Sequence, residues 1–233
     1  MLAAKPSLEQ ILRRHDTWRG RGCAAARHDN PSTGHPELDA VLPGNGWPAG
    51  ALTEICFDRP GIGELQLLMP AAARSTRDGR WLSLITPPCT PYPPALAAFG
   101  IDLRQVLLLR TASPGERVWA CEQLLKSGLC GAALMWLESA SEHCLRRLQQ
   151  AAECSTAVTV LYRPRQAQPC AVSALRLHVR KQDNRTAIHV LKRRGGAVPH
   201  PVLLDLHAPL TGRTSAREHA AVAASRAPLQ PAH

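Results

Sequence analysis

Eight consecutive residues, Asp58-Arg59-Pro60-Gly61-Ile62-Gly63-Glu64-Leu65, follow an apolar run and have the length of a loop that wraps phosphate. A working loop of that kind reads G-x-x-x-x-G-K-[ST]. Its backbone N–H groups surround the phosphates, its lysine neutralises them and its hydroxyl holds magnesium. Here Asp58 stands at the first glycine, Pro60 removes an N–H, Glu64 stands at the lysine and Leu65 offers a metal no oxygen. Gly61 and Gly63 keep the backbone freedom of such a loop without its charge. Exchanging a cation for an anion about 4 Å from phosphate shifts the interaction by about 8 kcal/mol at an effective dielectric of about 20. That is as large as the whole free energy of micromolar binding, so nucleotide binding in the usual mode is not expected.

Other reactive residues are scattered. The eight cysteines form no C-x-x-C pair and have no matching histidine pair, so reduced, mostly buried thiols are expected, with no metal site. His143 beside Cys144 is no catalytic pair, because neighbours on a helix point about a quarter-turn or more apart. The formal charge of +10 fits either a polyanion partner or a solvated basic surface. Arg163, Arg165, Arg176 and Arg180 are the candidates for contact with DNA. Few aromatic rings accompany them, whereas platforms for unstacked bases need several.

The elements that must position these residues follow from periodicity. Residues 1–19 read as an amphipathic helix capped by Ser7, with Leu8, Ile11, Leu12 and Trp18 on its apolar face and Arg13 and Arg14 outside. A Gly/Arg/Asn/Pro linker spans 20–32, a single core spans 33–207, and the Ala-, Pro- and Arg-rich segment 208–233 is expected to be disordered. Within the core, apolar runs at 51–56, 81–86, 105–110, 132–137 and 157–162 predict buried strands. They alternate with helices predicted at 63–77, 93–99, 113–127 and 141–154, with Pro70 marking an irregularity in the first. This order predicts a mostly parallel sheet covered on both faces. Leu175 to Arg180 and Ile188 to Leu191 then alternate around a turn at 181–184, predicting a hairpin with one wet, basic face. The chain shows neither a leader segment nor an apolar stretch of membrane-spanning length, so a soluble cytoplasmic protein is expected.

The stretch Thr33-Gly34-His35-Pro36-Glu37-Leu38-Asp39 through Leu42, the glycine-rich turn, and Pro48-Ala49-Gly50-Ala51-Leu52-Thr53-Glu54-Ile55 resemble the lead-in to the RecA-like ATPase core. There T-G-x-x-x-L-D-x-x-L and P-x-G-x-x-x-E-I run into the phosphate loop. The resemblance covers roughly residues 33–195 and implies an α/β RecA-like core with a C-terminal β-hairpin and a degenerate phosphate loop. It also implies where catalytic carboxylates would stand. The segment after the second core strand, Pro87-Pro88-Cys89-Thr90-Pro91, has none, and Glu138 stands where the metal-associated aspartate would be. The chain is therefore expected not to be an enzyme and to use no cofactor.

With this lead-in joined to Gly61-Ile62-Gly63-Glu64-Leu65 in a short chain, the sequence is similar to the ImuA family of RecA-like proteins. That resemblance implies a non-catalytic adaptor of damage-induced translesion synthesis in the SOS response. It implies RecA, an inactive Y-family polymerase homologue and an error-prone replicative-type polymerase as partners. Leu8, Ile11, Leu12, Arg13, Arg14, Trp18, Lys192, Arg193 and Arg194 are the docking candidates. The alternative is a sequence-nonspecific single-stranded DNA-binding module. The SulA-like label sometimes given to that family adds a further alternative, a cell-division inhibitor acting on a tubulin-like protein, for which no residue stands out.

Overall fold

The computed structural model describes residues 30–206. The amphipathic helix with Leu8, Ile11, Leu12, Arg13, Arg14 and Trp18, and the segment 208–233, lie outside the described residues.

The architecture is mixed α/β: one eight-stranded sheet flanked by helices. In chain order the elements are α1 (Pro36–Asp39), β1 (Leu52–Phe57), a 3₁₀ turn (Gln66–Leu68), α2 (Met69–Arg77), β2 (Trp81–Ile85) and α3 (Pro93–Ala98). A second 3₁₀ turn (Leu103–Gln105) leads into β3 (Val106–Leu109), α4 (Pro114–Ser127), β4 (Cys130–Trp136), α5 (Glu142–Glu153) and β5 (Val158–Pro164). The chain then forms β6 (Leu175–Gln182), β7 (Arg185–Lys192) and β8 (Val202–Leu204). The strand order is β3-β2-β4-β5-β1-β6-β7-β8. The first six of these are parallel, while β7 and β8 run antiparallel to their neighbours.

Alternation along the central strands divides the core in two, because successive side chains leave opposite faces of a strand. Leu134 and Trp136 pack with α2 and α3 on one face, and Ala133, Met135 and Leu137 pack with α4 and α5 on the other. The helices start where local chemistry starts them. Ser113 Oγ accepts from Glu116 N at 3.2 Å, Ser141 Oγ accepts from Cys144 N at 3.3 Å, and Gly128 closes α4 in the left-handed region. Pro70 breaks the predicted 63–77 helix into a 3₁₀ turn followed by α2, where it occupies the first turn and no N–H is wanted from it.

The residues that carry the lead-in resemblance do structural work. Asp39 accepts from Thr33 N at 2.8 Å and Ser32 Oγ at 2.5 Å, while Leu38 and Trp47 are fully buried. Gly34 has φ +87, and a Cβ there would lie 2.2 Å from Pro70 Cβ, so no other residue fits. Cys56, Cys89, Cys121, Cys130, Cys144 and Cys170 are free thiols, and Cys154 departs from the expectation by being disulfide-bonded. No helix among the described residues is long and apolar enough to cross a membrane.

Candidate functional site

In parallel sheets ligands gather beyond the carboxyl ends of the strands. The loop Asp58–Leu65 leaves the carboxyl end of β1, which lies between β5 and β6. Gly61 and Gly63 take φ +85 and +107, conformations that suit glycine, and this turns N–H groups inward. The Glu64 carboxylate fills the position those groups surround: Gly61 N donates to Oε1 and Ile62 N to Oε2, both at 2.9 Å. Glu64 is itself buried, and the hydroxyl of Tyr162 on β5 donates to its backbone oxygen at 3.0 Å. Burial, and then the charge of Glu64, push the Tyr162 phenol well above its ordinary value, so it stays protonated as a donor. Tyr162 stacks on Trp136 from β4, with centroids 4.6 Å apart and planes 19° apart.

Beside this loop lies a cavity of about 350 Å³ between Gly61–Gln66, the segment Pro87–Pro91, α3 and Trp136. Its wall is mostly apolar, and among the described residues no lysine, arginine or histidine lines it. Glu138 is exposed and does not line it. Among the described residues, no group of three or more His, Cys, Asp or Glu is placed to hold a metal ion.

One strand back, Glu54 forms a different centre. Its fully buried carboxylate accepts from Arg163 Nη1 at 3.0 Å and from Cys170 N at 3.1 Å. Arg176 Nε lies 3.2 Å away as an ion-pair partner, at an angle outside hydrogen-bond geometry. This corrects the expected wet face of the hairpin. β6 is an interior strand, and the connection from 165 to 174 folds back over it, so Arg163 and Arg176 are committed to Glu54 and His178 is buried. Arg165 and Arg180 remain exposed, 3.8 and 3.7 Å from Asp58, which also contacts His178 Nε2 at 3.2 Å. The structure thus gathers Asp58, Arg165, His178 and Arg180 at one rim, and separates them from Arg163 and Arg176.

Lys192, Arg193 and Arg194 lie by a second cavity, lined also by Gly50, Gln149 and Glu153 near the start of β1. Lys192 donates to Ala171 O at 2.7 Å and Arg193 to Val41 O, so both tie loops to the hairpin, while Arg194 is exposed. The role of Glu54 was missed in the sequence. Its signal was a lone carboxylate inside an apolar strand, which a fold tolerates only with cations brought from elsewhere.

Comparison with known proteins gives the chain its relatives. It is 31% identical over 115 residues to the cell division inhibitor SulA of Edwardsiella piscicida, a match spanning 49% of this chain and 68% of the relative. It is 28% identical to the cell division inhibitor SulA of Serratia marcescens over 115 residues, again 49% and 68% of the two chains. The same identity holds to the cell division inhibitor SulA of Yersinia enterocolitica over 116 residues, 50% and 69%. No family model matches the chain. These relatives overturn the ImuA assignment and, with it, the translesion-synthesis adaptor role, its DNA-repair associations and the RecA and polymerase partners. The physical reason lies in the lead-in motif. Asp39, Gly34, Leu38 and Trp47 specify how a chain packs into a parallel sheet, and none of them is left free to specify a partner.

Proposed function

The chain belongs to the SulA cell division inhibitor family, and on that premise we propose that it inhibits cell division by binding a division protein. The observation that carries this reading is the 31% identity over 68% of the Edwardsiella piscicida relative. The target we propose is a tubulin-like division protein in the cytoplasm, held by surface contact without catalysis. The loop supports a non-catalytic role. Its inward N–H groups are already engaged by Glu64, and an incoming phosphate would have to displace that carboxylate against like-charge repulsion. We propose in the same terms a RecA-like core with a degenerate phosphate loop, which neither binds nor hydrolyses a nucleotide. The lead-in residues 33–55 and the position of Asp58–Leu65 at the carboxyl end of a parallel strand support it.

The test is sedimentation of polymers of the tubulin-like division protein with increasing purified chain, without and with ATP. The reading expects stoichiometric loss of pelleted polymer that ATP does not change. Full polymer yield at a several-fold excess of chain would refute inhibition by contact. Dependence on ATP would refute the non-catalytic role.

A further inference from the structure

The rim at the carboxyl end of β1 holds more positive charge than it neutralises. Arg165, just past β5, and Arg180 on β6 both reach toward Asp58, but their guanidinium nitrogens stop 3.8 and 3.7 Å from its carboxylate, beyond hydrogen-bond distance. Asp58 makes its shorter contact with His178 Nε2, at 3.2 Å. Among the described residues neither guanidinium donates a hydrogen bond, and the two side chains are 58% and 52% exposed. The strand register adds a third arginine. Arg180 lies opposite Ala187 and Gln182 opposite Arg185, so Arg180 and the exposed Arg185 share one face of the hairpin as diagonal neighbours. Arg185 has no ion-pair partner among the described residues.

Diagonal neighbours in an antiparallel pair stand about 7–8 Å apart. Alternate residues of an extended chain stand about 6.6–6.8 Å apart and point to the same side. Carboxylates at alternate positions of an extended segment therefore fall in step with Arg180 and Arg185, and a guanidinium fork pairs with a carboxylate through two parallel N–H bonds. We infer that this rim docks an extended acidic segment of a protein partner, its alternate carboxylates paired with Arg165, Arg180 and Arg185. A nucleic-acid strand also carries evenly spaced anions, but single strands gain their hold by stacking bases on aromatic rings, and none of these rim residues is Phe, Tyr or Trp. Asp58 competes for Arg165 and Arg180, so it weakens the docking that they support. This docking face does not depend on the division-inhibitor reading.

The test is fluorescence anisotropy of a labelled, blocked Gly-Glu-Ser-Glu-Ser-Glu-Gly peptide titrated with the full chain at pH 7.5 and two salt concentrations. Saturable binding that weakens with salt is expected. Arg165→Ala, Arg180→Ala and Arg185→Ala should each weaken it about two- to fivefold, the worth of one exposed ion pair. Asp58→Asn should strengthen it by a similar factor, about two- to fivefold, because the competing carboxylate is gone. Arg194→Ala, outside the rim, should leave the affinity unchanged. No saturable binding at low salt and millimolar peptide would overturn the docking face. Equal weakening by Arg194→Ala and the rim variants would overturn it in favour of general attraction by the +10 chain. An unchanged or lower affinity in Asp58→Asn would overturn the sharing of arginines between Asp58 and the partner. A thymidine tetranucleotide, with three phosphates to match the three carboxylates, binding more tightly than the peptide would overturn the protein partner in favour of nucleic acid. Equal binding of a blocked Gly-Ser-Ser-Glu-Glu-Glu-Gly peptide would overturn the alternate spacing.

Discussion

Glu54 and Glu64 lie in one short stretch, β1 and the loop that leaves it, and both are buried, yet they are neutralised in opposite ways. Glu54 meets two guanidinium groups carried by β5 and β6, the strands on either side of β1. Among the described residues, the Glu64 carboxylate accepts hydrogen bonds from N–H groups of its own loop. A carboxylate compensated by side chains from neighbouring strands fastens those strands together. A carboxylate compensated by its own loop consumes the capacity of that loop to hold any other anion. The difference separates a charge that joins neighbouring strands from one that closes its own loop.

The largest expected effect comes from breaking the first centre. Glu54→Gln strands two buried guanidinium groups and should cost about 3–5 kcal/mol in urea unfolding, and replacing Glu54, Arg163 and Arg176 together by apolar residues should recover most of it. Glu64→Ala orphans the Gly61 and Ile62 donors and should cost less, about 1–3 kcal/mol. The contrast between the two centres would fail if Glu64→Ala proved the more damaging change.

A smaller effect follows from pH. Burial first, only partly offset by Asp58, holds His178 below its ordinary value of 6.5, and burial does the same for His35. A histidine depressed in the fold takes up its proton more readily once unfolded. Stability is therefore full above pH 6.5 and falls as the pH drops through 6.5 toward the lower folded values. The urea midpoint should decline over that window, and His178→Gln should reduce the decline. The smallest change is expected from exposed Arg194→Ala, within about 0.5 kcal/mol of the parent.

The sheet was largely legible, because buried strands announce themselves as short apolar runs and helices by caps such as Ser113 and Ser141. The predicted strands and helices appear with boundaries moved by a few residues, and the hairpin turn falls at Asp183-Asn184. β8 was not legible, since three residues carry too little periodicity. The hairpin face was misread for a different reason. Alternation shows that Arg176 and His178 share a face, but whether water or the 165–174 connection covers it is a tertiary fact. In the loop, the residue types Asp58, Pro60, Glu64 and Leu65 could be read from the sequence. That Glu64 turns back to occupy the cradle could not, because it depends on the positive φ of Gly61 and Gly63. The lead-in motif pointed to the wrong family role because its residues are buried structural contacts.

The most direct measurement of the central claim is cell length in a rod-shaped bacterium expressing the chain from an inducible promoter. Inhibition of division predicts long, unseptated filaments with segregated nucleoids, formed to the same degree by Arg194→Ala and lost with Glu54→Gln. Cells of normal length that contain abundant soluble, folded chain would contradict it.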